Sequence, residues 1–170
     1  VPTYWHPLFC VGIDDYHEGF VQDMLKKVKV FSGLTFVYVT CGSYIEALTL
    51  VQEGRADMLG FFMGSDEEAA RYGLACTDPY VSAAAILVRN KNVTYPSEGR
   101  ICGILSGRKF PTGIAAEKML YYACAEEGLN DVNSGKIDFF YGTSSHLENI
   151  IRQKNLSNVV QVSLPNRSID

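Results

Sequence analysis

Two stretches of the 170-residue chain repeat one another at a fixed distance, and no other feature restricts the fold as much. Val51-Gln52-Glu53-Gly54-Arg55-Ala56-Asp57 lines up with Val132-Asn133-Ser134-Gly135-Lys136-Ile137-Asp138. Each reads as a helix end, a Gly, a basic residue, an apolar residue, an Asp and then an apolar run. The offset is 81 residues in both pairs, Gly54 to Gly135 and Asp57 to Asp138. A Gly after a helix supplies the left-handed turn that ends it, because without a Cβ a positive φ costs little. Recurrence of such a unit at one offset is the mark of internal repetition. A weaker echo pairs Gly12-Ile13 with Gly103-Ile104.

Strand and helix signals alternate around both copies. Cys10 to Ile13 is an apolar strand. Phe20 to Phe31 has helical spacing, with Phe20, Met24, Leu25, Val28 and Phe31 on one face and Gln22, Lys26 and Lys27 off it. Gly33 stops that helix. Thr35 to Thr40 is a β-branched and aromatic run, hence a strand. Tyr44 to Glu53 is a helix with Ser43 as N-cap, and Ala56 to Met63 a third strand. Asp66 to Gly73 is a short helix or turn. Val81 to Arg89 is a long strand that carries the chain into its second half. There the pattern predicts strands at Ile101 to Leu105, Tyr121 to Ala125, Ile137 to Tyr141 and Val159 to Ser163. Helices are predicted at Thr112 to Leu120, Glu126 to Ser134 and Ser144 to Lys154. The alternation predicts an α/β fold of two similar α/β lobes with parallel-rich sheets and a crossover hinge. Lobe 1 covers 1–85 and ends in the hinge strand; lobe 2 covers 86–170, with a truncated or missing return to lobe 1. Ligands of parallel sheets sit beyond the carboxyl ends of the strands. That puts Asp14 to His17 and Phe62 to Ser65 at the functional edge.

Composition excludes several classes. At 47% hydrophobic and 20% charged, the chain can bury a real core. A net charge of −4 without a basic tract leaves nucleic acid no footprint. No apolar run approaches the ~18 residues of a membrane span. The opening Val1-Pro2-Thr3, in mid-pattern and without an initiator Met, reads as an excised piece of a longer protein. The five cysteines form no CxxC pair, and Cys10, Cys102 and Cys124, among apolar neighbours, are expected to be buried free thiols. His6, His17 and His146 lack the spacing of a metal site. No GxSxG motif is present, and no Cys sits in an evident electropositive turn. No catalytic residue, metal or cofactor is therefore expected, and the chain reads as a binding module rather than an enzyme.

Gly19-Phe20-Val21-Gln22-Asp23-Met24-Leu25, then Gly54-Arg55-Ala56-Asp57, then Thr77-Asp78-Pro79-Tyr80 resembles the type II periplasmic solute-binding fold. The similarity is to the family-3 solute-binding domains of amino-acid transport and of bacterial sensor proteins. It runs over nearly the whole chain and is clearest in residues 11 to 90. The resemblance implies a solute held in the cleft between the lobes. Its amino-acid binders clamp the ligand carboxylate with an Arg where this chain has Ala70, next to Arg71. They place an acid where this chain has Thr143. Both departures point away from an ordinary α-amino acid and towards a flat, neutral or weakly anionic solute. The candidate ligand-binding residues are Asp14, Tyr16, Phe62, Gly64, Ser65, Arg71, Ser106, Gly107, Arg108, Tyr141 and Thr143. Plain turn chemistry is the alternative at Asp14, and helix capping the alternative at Ser65. Ser106-Gly107-Arg108 is expected to offer a backbone turn and helix start to the ligand. The implied function is that of an extracytoplasmic sensor domain in a membrane-anchored bacterial signalling protein, of the kind that precedes histidine kinase or diguanylate cyclase domains. Its implied partners are a small-molecule solute, an attached membrane helix and output domain, and a second copy through self-association. The alternatives are a transporter's substrate receptor and a ligand-dead spacer or dimerisation module.

Overall fold

The computed structural model describes the chain except for residues 1–3, 6–7, 12–16, 95–99, 112 and 170. Thirteen elements follow one another: β1 (Tyr4–Trp5), β2 (Phe9–Val11), β3 (His17–Glu18), α1 (Phe20–Ser32), α2 (Tyr44–Gln52), α3 (Asp66–Arg71), β4 (Ala83–Asn90), β5 (Ile101–Leu105), β6 (Lys118–Tyr122), α4 (Ala125–Ser134), β7 (Phe139–Thr143), α5 (Ser144–Gln153) and β8 (Val159–Ile169). They form a mixed α/β structure. One sheet is a three-stranded antiparallel ribbon, β1-β2-β3. The other has five strands in the order β6-β5-β7-β4-β8. In it β5 runs parallel to β6 and β7, while β4 runs antiparallel to β7 and β8.

The internal echo is real at the level of atoms. Gly54 and Gly135 both take left-handed backbone, with φ of 68° and 79°. Gly54 N donates to Val51 O, and Arg55 N and Ala56 N both donate to Leu50 O. In the second copy Gly135 N donates to Val132 O, and Lys136 N and Ile137 N both donate to Asp131 O. The same helix-ending turn is thus built twice, with the freed carbonyls of the last helical turn satisfied in the same way. Beyond the turns the copies diverge. Asp138 N donates to Ile101 O and the Asp138 carboxylate accepts from Ile101 N at 2.8 Å, which locks the second copy onto β5. Asp57 is exposed.

The first half departs from the expected parallel sheet. Residues 35–40 and 56–63 lie outside any strand. Phe36 and Tyr38 pack against the core while Thr35, Val37 and Val39 are exposed, so the alternation is there without the strand. β-Propensity expresses itself only where a neighbouring strand is available. The 56–63 segment is held by side chains instead: Met63 N donates to the Tyr44 hydroxyl at 3.1 Å, and the Tyr80 hydroxyl donates to Gly60 O. α1 forms as expected and ends at Gly33 (φ 73°), but it is turned. Val21, Gln22 and Leu25 face inward, while Phe20 and Phe31 are exposed. The bond from Val21 N to Leu8 O pins its first turn and sets that rotation. A helix over 112–120 is also absent among the described residues. Lys118–Tyr122 is a strand, because parallel pairing with β5 overrides the local helical preference of Ala115-Ala116-Glu117-Lys118. The strand predicted over 121–125 is therefore shifted, and Ala125 opens α4.

The core is built around β4. Ala85, Ile86, Leu87 and Val88 are all buried, as expected for a strand paired on both edges and covered on both faces. On one face Ile86 and Val88 join Leu105, Leu129, Val132, Phe140 and Leu147; on the other, Leu87 meets Cys102, Ile104 and Phe139. Asn90, buried at the strand end, donates from Nδ2 to Val132 O at 2.7 Å and accepts from Asn92 N, so its burial leaves no polar group stranded. Of the cysteines, Cys41 and Cys102 are buried free thiols, and burial pushes Cys102 up to about 12. Cys124 is free but exposed, contrary to its apolar surroundings in sequence, because it stands at the start of α4 rather than within a strand. The Cys10 side chain lies outside the described residues.

Two outcomes follow from this packing. A Cβ on Gly103 would stand 2.7 Å from Phe140, 2.8 Å from Ile137 and 2.9 Å from Tyr122. Gly103→Ala is expected to lose about 1–3 kcal/mol in urea unfolding through overpacking; Lys118→Ala, an exposed change on the next strand, should stay within about 0.5 kcal/mol of the parent. Asp131 accepts from Lys136 Nζ at 2.7 Å and from the Tyr122 hydroxyl at 2.8 Å, and these bonds hold its carboxyl below the usual range. A depressed carboxyl stabilises the fold above its unfolded pKa and ceases to do so as pH falls through its folded value. The melting-temperature gap between the parent and Asp131→Asn is therefore expected at pH 6–7 and should close at acid pH. The stability difference behind it should be below about 1 kcal/mol, because Lys136 is exposed.

Candidate functional site

The parallel strands β5, β6 and β7 end at Leu105, Tyr122 and Thr143, and the first half of the chain lies across those ends. The seam between them is packed. A Cβ on Gly107, just after β5, would meet Ile45 and Leu48 at 3.2 Å. The Tyr72 hydroxyl donates to Gly107 O at 3.4 Å, Thr143 Oγ1 reaches Met63 Sδ at 4.0 Å, and Lys109 stands 3.9 Å from Glu68.

The predicted residues meet this seam unequally. Tyr141 and Thr143 are buried on β7, Arg108 is buried beside them, and Gly107 (φ 86°) makes the contacts above. Ser106 donates its N–H to Tyr122 O at 2.8 Å, in a turn that leads into no helix, so the expected helix start after Ser106-Gly107-Arg108 is absent. Phe62 is half-buried, edge-on to Tyr72 at 6.3 Å. Ser65 is the N-cap of α3. Its side chain accepts from Glu68 N, and Glu68 Oε2 accepts from Ser65 N at 3.1 Å, a closed capping box that occupies the hydroxyl. Gly64 packs against that box, where a Cβ would stand 2.7 Å from Glu68 Oε2. Arg71 is exposed at the last turn of α3, and so is Ala70 before it; Ala69 is the residue of this helix that faces the core. Asp14 and Tyr16 lie outside the described residues.

Arg108 is the most unusual group in the seam. It is 8% exposed, its guanidinium sits 5.3 Å from the Tyr141 ring centroid, and Nη1 has no hydrogen-bond partner among the described residues. Burial lowers its pKa, and the Tyr141 and Tyr44 hydroxyls and Glu68 oppose that. The cation is compensated by the Tyr141 ring and hydroxyl and by the charge of Glu68, and Nη1 alone is left without a partner among the described residues.

A cavity of about 180 Å3, about six water volumes, opens at the starts of α2 and α4. Trp5 of β1 and Gly42, Ser43 and Tyr44 at the start of α2 form one wall. Ala123 to Glu126 at the start of α4, with His146 and Ile150 of α5, form the other. It therefore lies just past the carboxyl end of β6, where parallel α/β sheets hold their ligands. Trp5 stacks on His146 at 4.8 Å and 8°, and tilts against Tyr44 and Phe61. Burial pushes the Tyr44 hydroxyl up to about 12. The two helix starts differ. Ser43 caps α2, and Glu46 Oε2 accepts from Gly42 N at 2.7 Å. Cys124 precedes α4 without a capping side-chain bond. Glu126, the acid in the wall, is engaged by Lys154 at 2.7 Å. No group of three or more His, Cys, Asp and Glu residues suited to a metal occurs among the described residues.

Sequence reasoning did not find Trp5, Ser43, Cys124 or His146. The usable signals were Ser43, already legible as an N-cap, and the end of a parallel strand at Tyr122, hidden by the misplaced helix over 112–120.

No protein family and no curated protein matches the sequence. Solved structures match over almost its whole length. The periplasmic VFT2 domain of BvgS from Bordetella pertussis aligns with 97% of this chain and 73% of its own, at a TM-score of 0.79 and 18% identity. A histidine kinase sensor domain with similarity to periplasmic binding proteins aligns with 98% and 76%, at 0.78 and 16%. A substrate-binding protein of an ABC uptake transporter from Streptococcus pneumoniae, solved with bound histidine, aligns with 98% and 74%, at 0.79 and 16%. These are binding and sensor proteins. With β5, β6 and β7 parallel and the first half of the chain laid across their carboxyl ends, the chain has the type II periplasmic-binding-protein fold.

Proposed function

We propose that the chain is the extracytoplasmic solute-binding sensor domain of a membrane-anchored signalling protein, with the solute held between two lobes, 1–85 and 86–170. The cavity beside the stacked Trp5 and His146 rings carries this reading: it is partly open to solvent and built from both halves of the chain at the edge where this fold binds ligands. The likeness to two sensor domains supports the signalling role. Closure on the solute would move one lobe against the other about β4, and an attached output domain would read that motion. No helix among the described residues is long and apolar enough to cross a membrane. The resemblance to the Streptococcus pneumoniae transport protein favours a second reading, a receptor delivering its solute to a permease. Neither reading assigns a reaction to the chain. The parent sequence separates them: a membrane helix followed by a kinase or cyclase domain belongs to the first.

The chain contains one tryptophan, and it lines the cavity. Entry of a solute should therefore shift or quench Trp5 emission. The same solute should slow alkylation of Cys124, in the cavity wall, at least fivefold, and leave the exposed Cys76 unchanged. A broad solute screen in which no compound alters either signal would exclude binding in this cavity.

A further inference from the structure

The stretch from Val30 to Ile45 contains no charged residue, no His and no Pro. It also carries the three most exposed large apolar side chains among the described residues. Phe31 is 90% exposed, Val37 85% and Val30 80%, and Leu34 and Val39 are exposed as well. Residues 35–39 alternate: Phe36 and Tyr38 pack on the core, while Thr35, Val37 and Val39 face outward. Tyr38 is held in place by the Phe9 and His17 rings. The segment thus has the two faces of a strand and no ladder. The backbone N–H and C=O groups of Phe36 and Tyr38 have no hydrogen-bond partner among the described residues. An unpaired strand edge is a template for another strand, and proteins ordinarily blunt such an edge with Lys, Pro or a covering element. Here neither Lys nor Pro interrupts it.

We infer that residues 35–39 form a docking edge for a second copy of this chain, which adds its own 35–39 antiparallel about Val37. In that register Phe36 of one copy stands opposite Tyr38 of the other. Residues two apart on a strand present their backbone groups to the same side, and an opposed hydrogen-bonded pair exchanges both bonds. The two-fold pairing therefore satisfies every one of the open Phe36 and Tyr38 groups in both copies. Val37 meets Val37 at the two-fold axis, in the kind of pair where facing side chains approach closest, and Thr35 meets Val39. β-Branched pairs suit those places. Charge selects the same occupant. Two chains of net charge −4 repel one another, and this edge brings no charge of its own to the contact. A partner recognised by its charge would find nothing here to hold it. Pairing of one short strand edge buries less than the ~1,200 Å2 of a stable interface, so the dimer is weak and forms only as concentration rises. The inference is independent of the cleft-binding reading above.

Sedimentation equilibrium of the chain over a wide concentration series tests this. The parent should pass from monomer to dimer towards the upper end of the series. Val37→Lys and Val37→Glu each set two like charges against one another at the two-fold axis, and each should weaken the dimer at least about tenfold. Because Val37 is so exposed, neither change should alter the circular dichroism or melting temperature of the monomer. An equimolar mixture of the two variants should associate at least about tenfold more tightly than either alone, since Lys then faces Glu. Tyr121→Lys, at an exposed apolar position in the second half of the chain, should leave the dimer unchanged. A parent that stays monomeric across the series would overturn the inference and leave the edge to a strand of another protein. A dimer that the Val37 variants do not weaken would overturn it too, as would one that Tyr121→Lys weakens equally. A mixture of Val37→Lys and Val37→Glu that associates no better than its components would overturn the two-fold pairing and the inference with it. Solute binding is read separately through Trp5 emission, and none of these outcomes bears on it.

Discussion

The Tyr44 side chain holds together what the backbone of the first half does not. Residues 56–63 have no strand ladder, and their position depends on Met63 N reaching the Tyr44 hydroxyl and on Tyr80 reaching Gly60. The same ring packs against Trp5 and Phe61 and lies near Gly107 beyond the strand ends. One buried phenol thus fixes a loop, a wall of the cavity and the seam between the halves. A hydrogen bond from a backbone amide is modest in net energy, but an orphaned buried amide is costly, so the phenol oxygen is the part that phenylalanine cannot replace. The seam is therefore a contact between side chains, where a sheet would have been a continuous framework. Such a contact can open without breaking either sheet.

Helices were legible in the sequence wherever caps and periodicity agreed. Ser43 before α2, Gly33 after α1 and Gly135 after α4 each mark an end through local chemistry, which a single sequence records. The 81-residue echo was legible for the same reason, since it encodes one turn with one set of bonds. Strands were harder because their evidence lies in a distant partner. Thr35 to Thr40 and Lys118 to Tyr122 show both faces of this. The first has the composition of a strand and lies outside any ladder; the second has the composition of a helix and is recruited by β5.

The candidate site was legible only as a region. The resemblance pointed to the edge beyond the strand ends, where Gly107, Arg108, Tyr141 and Thr143 gather, but none of the predicted residues lines the cavity. The lining was not legible, because a cavity between halves is set by which rings fill the seam. Trp5 lies on a two-residue strand with no motif of its own, and Cys124 becomes a helix cap only once Lys118 to Tyr122 is known to be a strand. Ser65 shows the converse: its capping alternative was visible, and Glu68 three residues on is what engages the hydroxyl.

The position of β4 in the sheet also governs how the chain is made. Its partners are β7, at residues 139–143, and β8, at 159–169, while β4 itself is residues 83–90. Synthesis runs from the amino end, so a ribosome delivers the apolar run Ala85 to Val88 well before either flanking strand exists. Translation at about 5–20 residues per second leaves that run unpaired for several seconds. Such long-range pairing is slow to form and leaves open strand edges exposed meanwhile. Assembly of the five-stranded sheet is therefore a late event, completed only when nearly the whole chain has emerged. Until then the nascent chain presents an adhesive edge, and the cell must keep it apart from its neighbours.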